Sequence, residues 1–182
     1  MKYMKKLLGI LALGLLTCNI SFADNLKFCD DILRRFKKYN INKNNLIFQG
    51  KSKSRKELLE VYKEIDISLD PFPFQGNTST CESSWMGVPV ITLKGDRYLS
   101  HFGESINSNL NMYDWIAKNQ NDYVSIAMKF SSNIDKLSEI RKNLRNKTLQ
   151  SPVCDAVRFT RHFDKILWDM WEEFQLKKNK RN

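Results

Sequence analysis

The chain has 182 residues, 42% of them hydrophobic, 27% charged and 12% aromatic. These are the proportions of one globular domain with small appendages, and they exclude a disordered, collagen-like or multi-span membrane protein. Of the formal net charge of +10, three charges lie in residues 1–23 and four in residues 177–182, leaving +3 for residues 24–176. That body lacks the concentrated basic face of a duplex nucleic-acid binder, so no nucleic-acid partner is expected.

Residues 1–23 carry the pattern of a secretory signal. Lys2, Lys5 and Lys6 precede an apolar run over residues 7–16, and the small residues Ser21 and Ala23 follow. Cleavage is expected after Ala23. The run is shorter than the roughly 20 apolar residues of a membrane span, so the mature chain is expected to have none. Cys29, Cys81 and Cys154 would remain. An odd count without close spacing is neither a disulfide framework nor a zinc motif, and buried or half-buried thiols are expected.

From there the apolar periodicity predicts alternating elements. Phe28, Ile32, Leu33, Phe36 and Tyr39 recur at helical spacing over residues 28–39. A polar turn over residues 40–45 leads to a short strand at residues 46–50. Ser54 caps a second helix, with Glu57 completing a capping-box pattern and Leu58, Leu59, Tyr62 and Ile65 facing inward. A strand at residues 67–69 ends at Asp70 and a Pro71-Phe72-Pro73-Phe74 corner. A helix over residues 81–86 follows, then a fully buried strand at residues 88–93. Further helices are predicted over residues 102–109, 122–131, 135–147 and 155–175. The last is apolar on one side through Val157, Phe159, Phe163, Ile166, Leu167, Met170, Trp171 and Phe174. Strands alternating with helices predict a parallel α/β sheet flanked by helices over residues 24–176, with residues 177–182 as a solvated basic tail.

In such a sheet, ligands bind beyond the carboxyl ends of the strands. The stretch Gly76-Asn77-Thr78-Ser79-Thr80 occupies that position after the strand at 67–69. Gly76 allows close backbone approach, three successive hydroxyls can donate, and a helix N-terminus adds free amides and a positive dipole end. The competing reading is simple helix capping. Glu82, one turn on, suits a ribose or merely complements the dipole; Arg55 is a ligand contact or a solvated charge. His101 and His162 have no Ser/Asp partner in sequence. There is no H-E-x-x-H and no paired carboxylate loop, so no catalytic residue and no metal ligand is assigned.

The stretch from Asp66 to Thr92, containing Leu69-Asp70-Pro71, Gly76-Asn77-Thr78-Ser79-Thr80-Cys81-Glu82 and Trp85-Met86-Gly87-Val88-Pro89-Val90, resembles the C-terminal catalytic half of the O-linked N-acetylglucosamine transferase/SPINDLY glycosyltransferases in their bacterial form. The resemblance continues through Gly95-Asp96-Arg97, Gly103-Glu104-Ser105, Asp114-Trp115-Ile116-Ala117, Ser151-Pro152-Val153-Cys154-Asp155 and Met170-Trp171. It implies a Rossmann-like domain equivalent to the C-terminal half of a GT-B glycosyltransferase. Thr78 and Ser79, with Gly76, Asn77 and Thr80 beside them, would bind the diphosphate of a UDP-sugar. Glu82 would take the ribose, and Arg55 would lie near the nucleobase. Leu58 and Asn77 stand where the family, or its animal members, carry histidines. The resemblance implies UDP-N-acetylglucosamine as co-substrate and no further cofactor. A protein acceptor, or a separately supplied N-terminal catalytic half, would be the partner, and the chain would be a truncated or split form. The alternative is a non-catalytic nucleotide-binding or interaction module; a third is an exported basic binding protein. The signal-like start implies export to the periplasm, whereas the family implies the cytoplasm.

Overall fold

The computed structural model describes residues 22–49 and 52–179. The signal-like segment lies outside the described residues except for Phe22 and Ala23, which open the first helix, and residues 180–182 of the basic tail lie outside them too. In chain order the elements are α1 (Phe22–Lys37), α2 (Arg55–Val61), β1 (Ser68–Leu69), α3 (Thr78–Trp85), β2 (Val90–Leu93), α4 (Phe102–Asn109), β3 (Ile116–Ala117), α5 (Gln120–Ser131), α6 (Ile134–Leu149) and α7 (Ala156–Asn179), with short 3-10 turns between several of them.

The strands form a parallel sheet in the order β1-β2-β3. Ser68 pairs with Val90 and Leu69 with Ile91; Thr92 pairs with Ile116 and Leu93 with Ala117. Parallel neighbours need a crossover, which α3 supplies between β1 and β2, and α4 between β2 and β3. All of β2 is buried, as befits a central parallel strand covered on both faces and rich in β-branched residues. Asn107 of α4 donates its side-chain amide to the carbonyls of Val90 and Trp115, tying β2 to the entry of β3. The core gathers Ile67, Ile91, Ile106, Leu110, Met112, Trp115, Phe130, Leu137 and Leu144. Trp115 stacks on Phe130 with ring centroids 4.0 Å apart. Each aliphatic side chain buried here stabilises the fold by about 1.5–3 kcal/mol. The predicted Rossmann-like α/β class is what the chain adopts.

Local chemistry sets the helix starts. Ser54 Oγ accepts from Glu57 N–H, while the Glu57 carboxylate reaches back to Lys53 N–H. Asn119 and Asn133 cap α5 and α6 in the same side-chain-to-amide manner. Four expectations need correction. Residues 46–49 are not a strand: no neighbouring strand is paired with them and Ile47 is exposed. The two-residue β3 was not anticipated. Helix α3 starts at Thr78, so the hydroxyl triplet is its first turn rather than a preceding loop. Finally Cys154 is exposed, because it sits on the outlying turn Pro152–Cys154, while Cys29 and Cys81 are half-buried as expected. The last helix continues through Lys177 and Lys178 to Asn179, so the tail's first residues are helical, and its apolar side faces solvent. Among the described residues no helix is long and apolar enough to cross a membrane.

Candidate functional site

The chain leaves β1 at Leu69 and enters a loop that Asp70 closes on itself. Asp70 Oδ1 accepts from Gly76 N–H at 2.8 Å, so the carboxylate bridges the two ends of the six-residue excursion. Its Oδ2 accepts from the Thr92 hydroxyl of β2 at 2.8 Å, and its carbonyl accepts from Tyr123 of α5. The carboxylate is 5% exposed; burial pushes its pKa up to about 6, against the hydrogen bonds from Gly76 and Thr92 that favour the charge. Gln75 locks the loop from the other side. Its amide donates to Leu93 O and its side-chain oxygen accepts from Gly103 N–H at 2.8 Å, joining the loop after β1 to the entry of α4. The Phe72–Pro73 peptide bond is cis.

This rigid loop presents α3. Asn77 occupies the N-cap position but makes no side-chain capping bond, in contrast to the caps of α2, α5 and α6. The first-turn amides of an α-helix have no intrahelical partner, so here they face the strand ends without a side-chain cap. Thr78 and Ser79 are exposed on that turn. Ser79 Oγ lies close over Gly76, so a Cβ there would make the serine side chain turn away. Thr80 points inward: it is buried and its hydroxyl donates to Gly76 O at 2.9 Å, so its observed bond is to the loop itself.

Glu82 and Arg55, expected to face a ligand separately, are brought together as an ion pair at 2.7 Å. Tyr62 completes the cluster, donating to Ser79 O at 3.3 Å and approaching Glu82 at 3.4 Å. Burial first, then the Glu82 charge and hydrogen bond, push the Tyr62 phenol up to about 12. Beyond β2, Lys94 and His101 both bond Glu104 at 2.7 Å. Burial opposes its charge, but those two partners hold the Glu104 carboxyl below its ordinary value. Exposed Phe74 and Tyr98 stand on the same loops.

The structure therefore gathers Gly76, Asn77, Thr78, Ser79, Arg55 and Glu82 at one end of the sheet. Sequence reasoning missed Asp70, Gln75 and the Lys94–Glu104–His101 group. An aspartate closing a strand before a proline was the available signal for the first. A separate groove of about 510 Å³, lined by residues 111–115 and one side of α6, opens where the chain enters β3. That is the amino end of the strand, whereas parallel sheets bind ligands at the carboxyl end. Chemically, the first turn of α3 offers unpaired amides, two hydroxyls and a positive dipole end to an anion, with a cation–carboxylate pair alongside.

The family described as glycosyl transferase family 41 matches residues 27–163. The probable UDP-N-acetylglucosamine–peptide N-acetylglucosaminyltransferase SPINDLY of Hordeum vulgare is 39% identical over 116 residues, which are 64% of this chain and 12% of that protein. The UDP-N-acetylglucosamine–peptide N-acetylglucosaminyltransferase of Caenorhabditis elegans is 24% identical over 110 residues, 60% of this chain and 10% of that one. Among solved structures, a mutant of the Thermobaculum terrenum O-GlcNAc transferase superposes with a TM-score of 0.73 at 25% identity, covering 79% of this chain and 28% of that chain. The chain thus spans about one eighth of the length of the SPINDLY relatives it matches.

Proposed function

This chain belongs to glycosyl transferase family 41, and from that membership we propose that it is the donor-binding half of a UDP-sugar-dependent glycosyltransferase. The observation that carries the proposal is the uncapped first turn of α3, with Thr78 and Ser79 exposed on it and the preceding loop pinned by Asp70 and Gln75. The diphosphate of UDP would sit on the Thr78, Ser79 and Thr80 amides and the two outward hydroxyls, with Gly76 and Asn77 forming the floor. Charge that develops on the diphosphate as the glycosidic bond breaks is stabilised by such fixed donors without reorganisation. Glu82 would accept from the ribose and Arg55 would flank the base once their ion pair opens toward the nucleotide. The co-substrate is a UDP-sugar, with UDP-N-acetylglucosamine first in line from the names of the relatives; no other cofactor is invoked. Acceptor binding, a Ser/Thr hydroxyl of a protein, is assigned to a second domain, in the same polypeptide or another.

Calorimetry and thermal shift with UDP test the reading. At a hundredfold excess over Kd, a ligand of the folded state adds about 2.7 kcal/mol, a rise of about 5–10 °C in Tm for this size. Thr78→Ala and Ser79→Ala should each weaken binding. Wild-type protein that gives no heat with UDP, or variants that bind as wild type does, would remove the assignment. One observation favours a second reading, a nucleotide-binding module without turnover: the two side chains meant for ribose and base are spent on each other. UDP binding without UDP-sugar hydrolysis or transfer, even with a second domain supplied, would select that reading.

A further inference from the structure

Asp70 is a buried acid beneath a turn built for an anion, and among the described residues no lysine or arginine pairs with it. The groups that face it are neutral. The loop supplies Gly76 N–H, β2 the Thr92 hydroxyl, and α5 the hydroxyl of Tyr123, which bonds the Asp70 carbonyl. Burial, then the Asp70 charge, push the Tyr123 phenol far above its ordinary value, so it stays protonated. Helix α4 supplies Gly103, packed so close that a Cβ there would lie 2.4 Å from Asp70 Oδ2. The next residue, Glu104, is held by Lys94 and His101. Helix α3 supplies the hydroxyls of its first turn. A Cβ set on Gly76 would lie 2.3 Å from Ser79 Oγ, 3.0 Å from Thr80 Oγ1 and 3.3 Å from Asp70 Oδ1. The Ser79 and Asp70 oxygens therefore stand within about 6 Å of each other, a range over which one charge shifts another group's hold on its proton.

We infer that Asp70 is a proton-linked positioning residue of the donor site: the diphosphate settles on α3 together with one proton from solvent, which comes to rest on Asp70 Oδ2. This assignment rests on the donor-site reading above and names what regulates that site. A diphosphate oxygen bonded to Ser79 Oγ would lie about 8 Å from the carboxylate. At an effective dielectric near 20, one negative charge at about that distance strengthens proton binding on the order of 10- to 100-fold. The carboxylate of the empty site already titrates at about 6, so an occupied site moves it to about 7–8. The local bonding accommodates the proton. Oδ1 keeps Gly76 N–H, while a protonated Oδ2 donates to Thr92 Oγ1, whose hydroxyl rotates from donor to acceptor. Asp70 thus holds the loop in both states. The charge that would repel the diphosphate is removed as the donor arrives and restored as it leaves.

The test is calorimetry of the full chain with UDP-N-acetylglucosamine, in pairs of buffers that differ in protonation heat, at several pH values from about 5.5 to 8. This ligand has no titrating group in that range, unlike UDP with its terminal phosphate. Because the occupied site holds the proton more tightly than the empty one, affinity is greatest below about pH 6 and falls as pH rises through the occupied value. The wild-type chain should take up about half a proton or more per donor near pH 7, and its Kd should rise about tenfold or more between pH 6 and pH 8. Asp70→Asn keeps an oxygen for Gly76 N–H and should bind with no proton uptake and a Kd that is flat with pH. Replacing both histidines of the chain, His101→Gln with His162→Gln, should leave the linkage in place. Wild-type binding without proton uptake and with a flat Kd overturns the assignment while the donor site stands. Linkage that survives Asp70→Asn, or that disappears with the histidines, overturns it too. No heat from the donor at any pH removes the donor-site reading and this assignment with it.

Discussion

Asp70→Asn isolates the charge of the carboxylate that closes the loop while keeping its shape. In the folded chain burial raises this group from 3.8 to about 6. A shift of about two units is worth about 3 kcal/mol. Because the folded pKa lies above the unfolded one, the folded state holds the extra proton between about pH 4 and pH 6, and stability falls as pH rises through that window. Above about pH 6 the ionised group costs the fold up to about 3 kcal/mol relative to a neutral one. Asparagine keeps an oxygen for Gly76 N–H, and its amide can donate to the Thr92 hydroxyl, which rotates to accept. The variant should therefore be more stable than wild type at pH 7, by up to about 3 kcal/mol, with the gap closing by about pH 4. Urea unfolding at several pH values measures it. Parallel pH profiles for the two proteins, or an Asn variant weaker at pH 7, would refute the reasoning. Asp70→Ala is the contrast: it strands Gly76 N–H and the buried Thr92 hydroxyl, at about 1–3 kcal/mol for each unmet group.

Gly103→Ala should lose about 1–3 kcal/mol in urea, because the new Cβ would collide with Thr92 Oγ1 and Asp70 Oδ2; a neutral result would mean that α4 can back away from β2. Trp115→Ala removes a buried ring stacked on Phe130 and should cost about 3–5 kcal/mol, read from the same titration. Glu82→Gln should lower the Tyr62 pKa from about 12 toward its ordinary value. It should fall only part of the way, since burial is the larger cause, and a spectroscopic tyrosine titration that did not move would contradict the Tyr62–Glu82 contact.

Elements with a local cause were legible in the sequence. The run Val90-Ile91-Thr92-Leu93 announced a buried strand, Ser54 with Glu57 announced a helix start, and the helix Phe102–Asn109 was read to the residue. Residues 46–49 had a strand's composition, but a strand exists only with a neighbour, and composition names no neighbour. Ile116–Ala117 failed the other way: two residues show no period, and β2 alone makes them a strand. The hydroxyl triplet was correctly placed beyond β1, but the bond of Thr80 to Gly76 O was invisible, because three adjacent alcohols look alike until one turns inward. Asp70 and Gln75 find partners 22 and 28 positions away, distances at which only the fold makes neighbours. The apolar side of α7 was likewise plain; its exposure to solvent is a fact of tertiary structure.

Gln75 has a practical consequence. Its one buried amide ties the loop before α3 to Gly103 at the start of α4, so stiffening of the former is expected to slow exchange at the latter. Deuterium uptake at the Gly103 amide would then report on occupancy of the first turn of α3 without a label placed there.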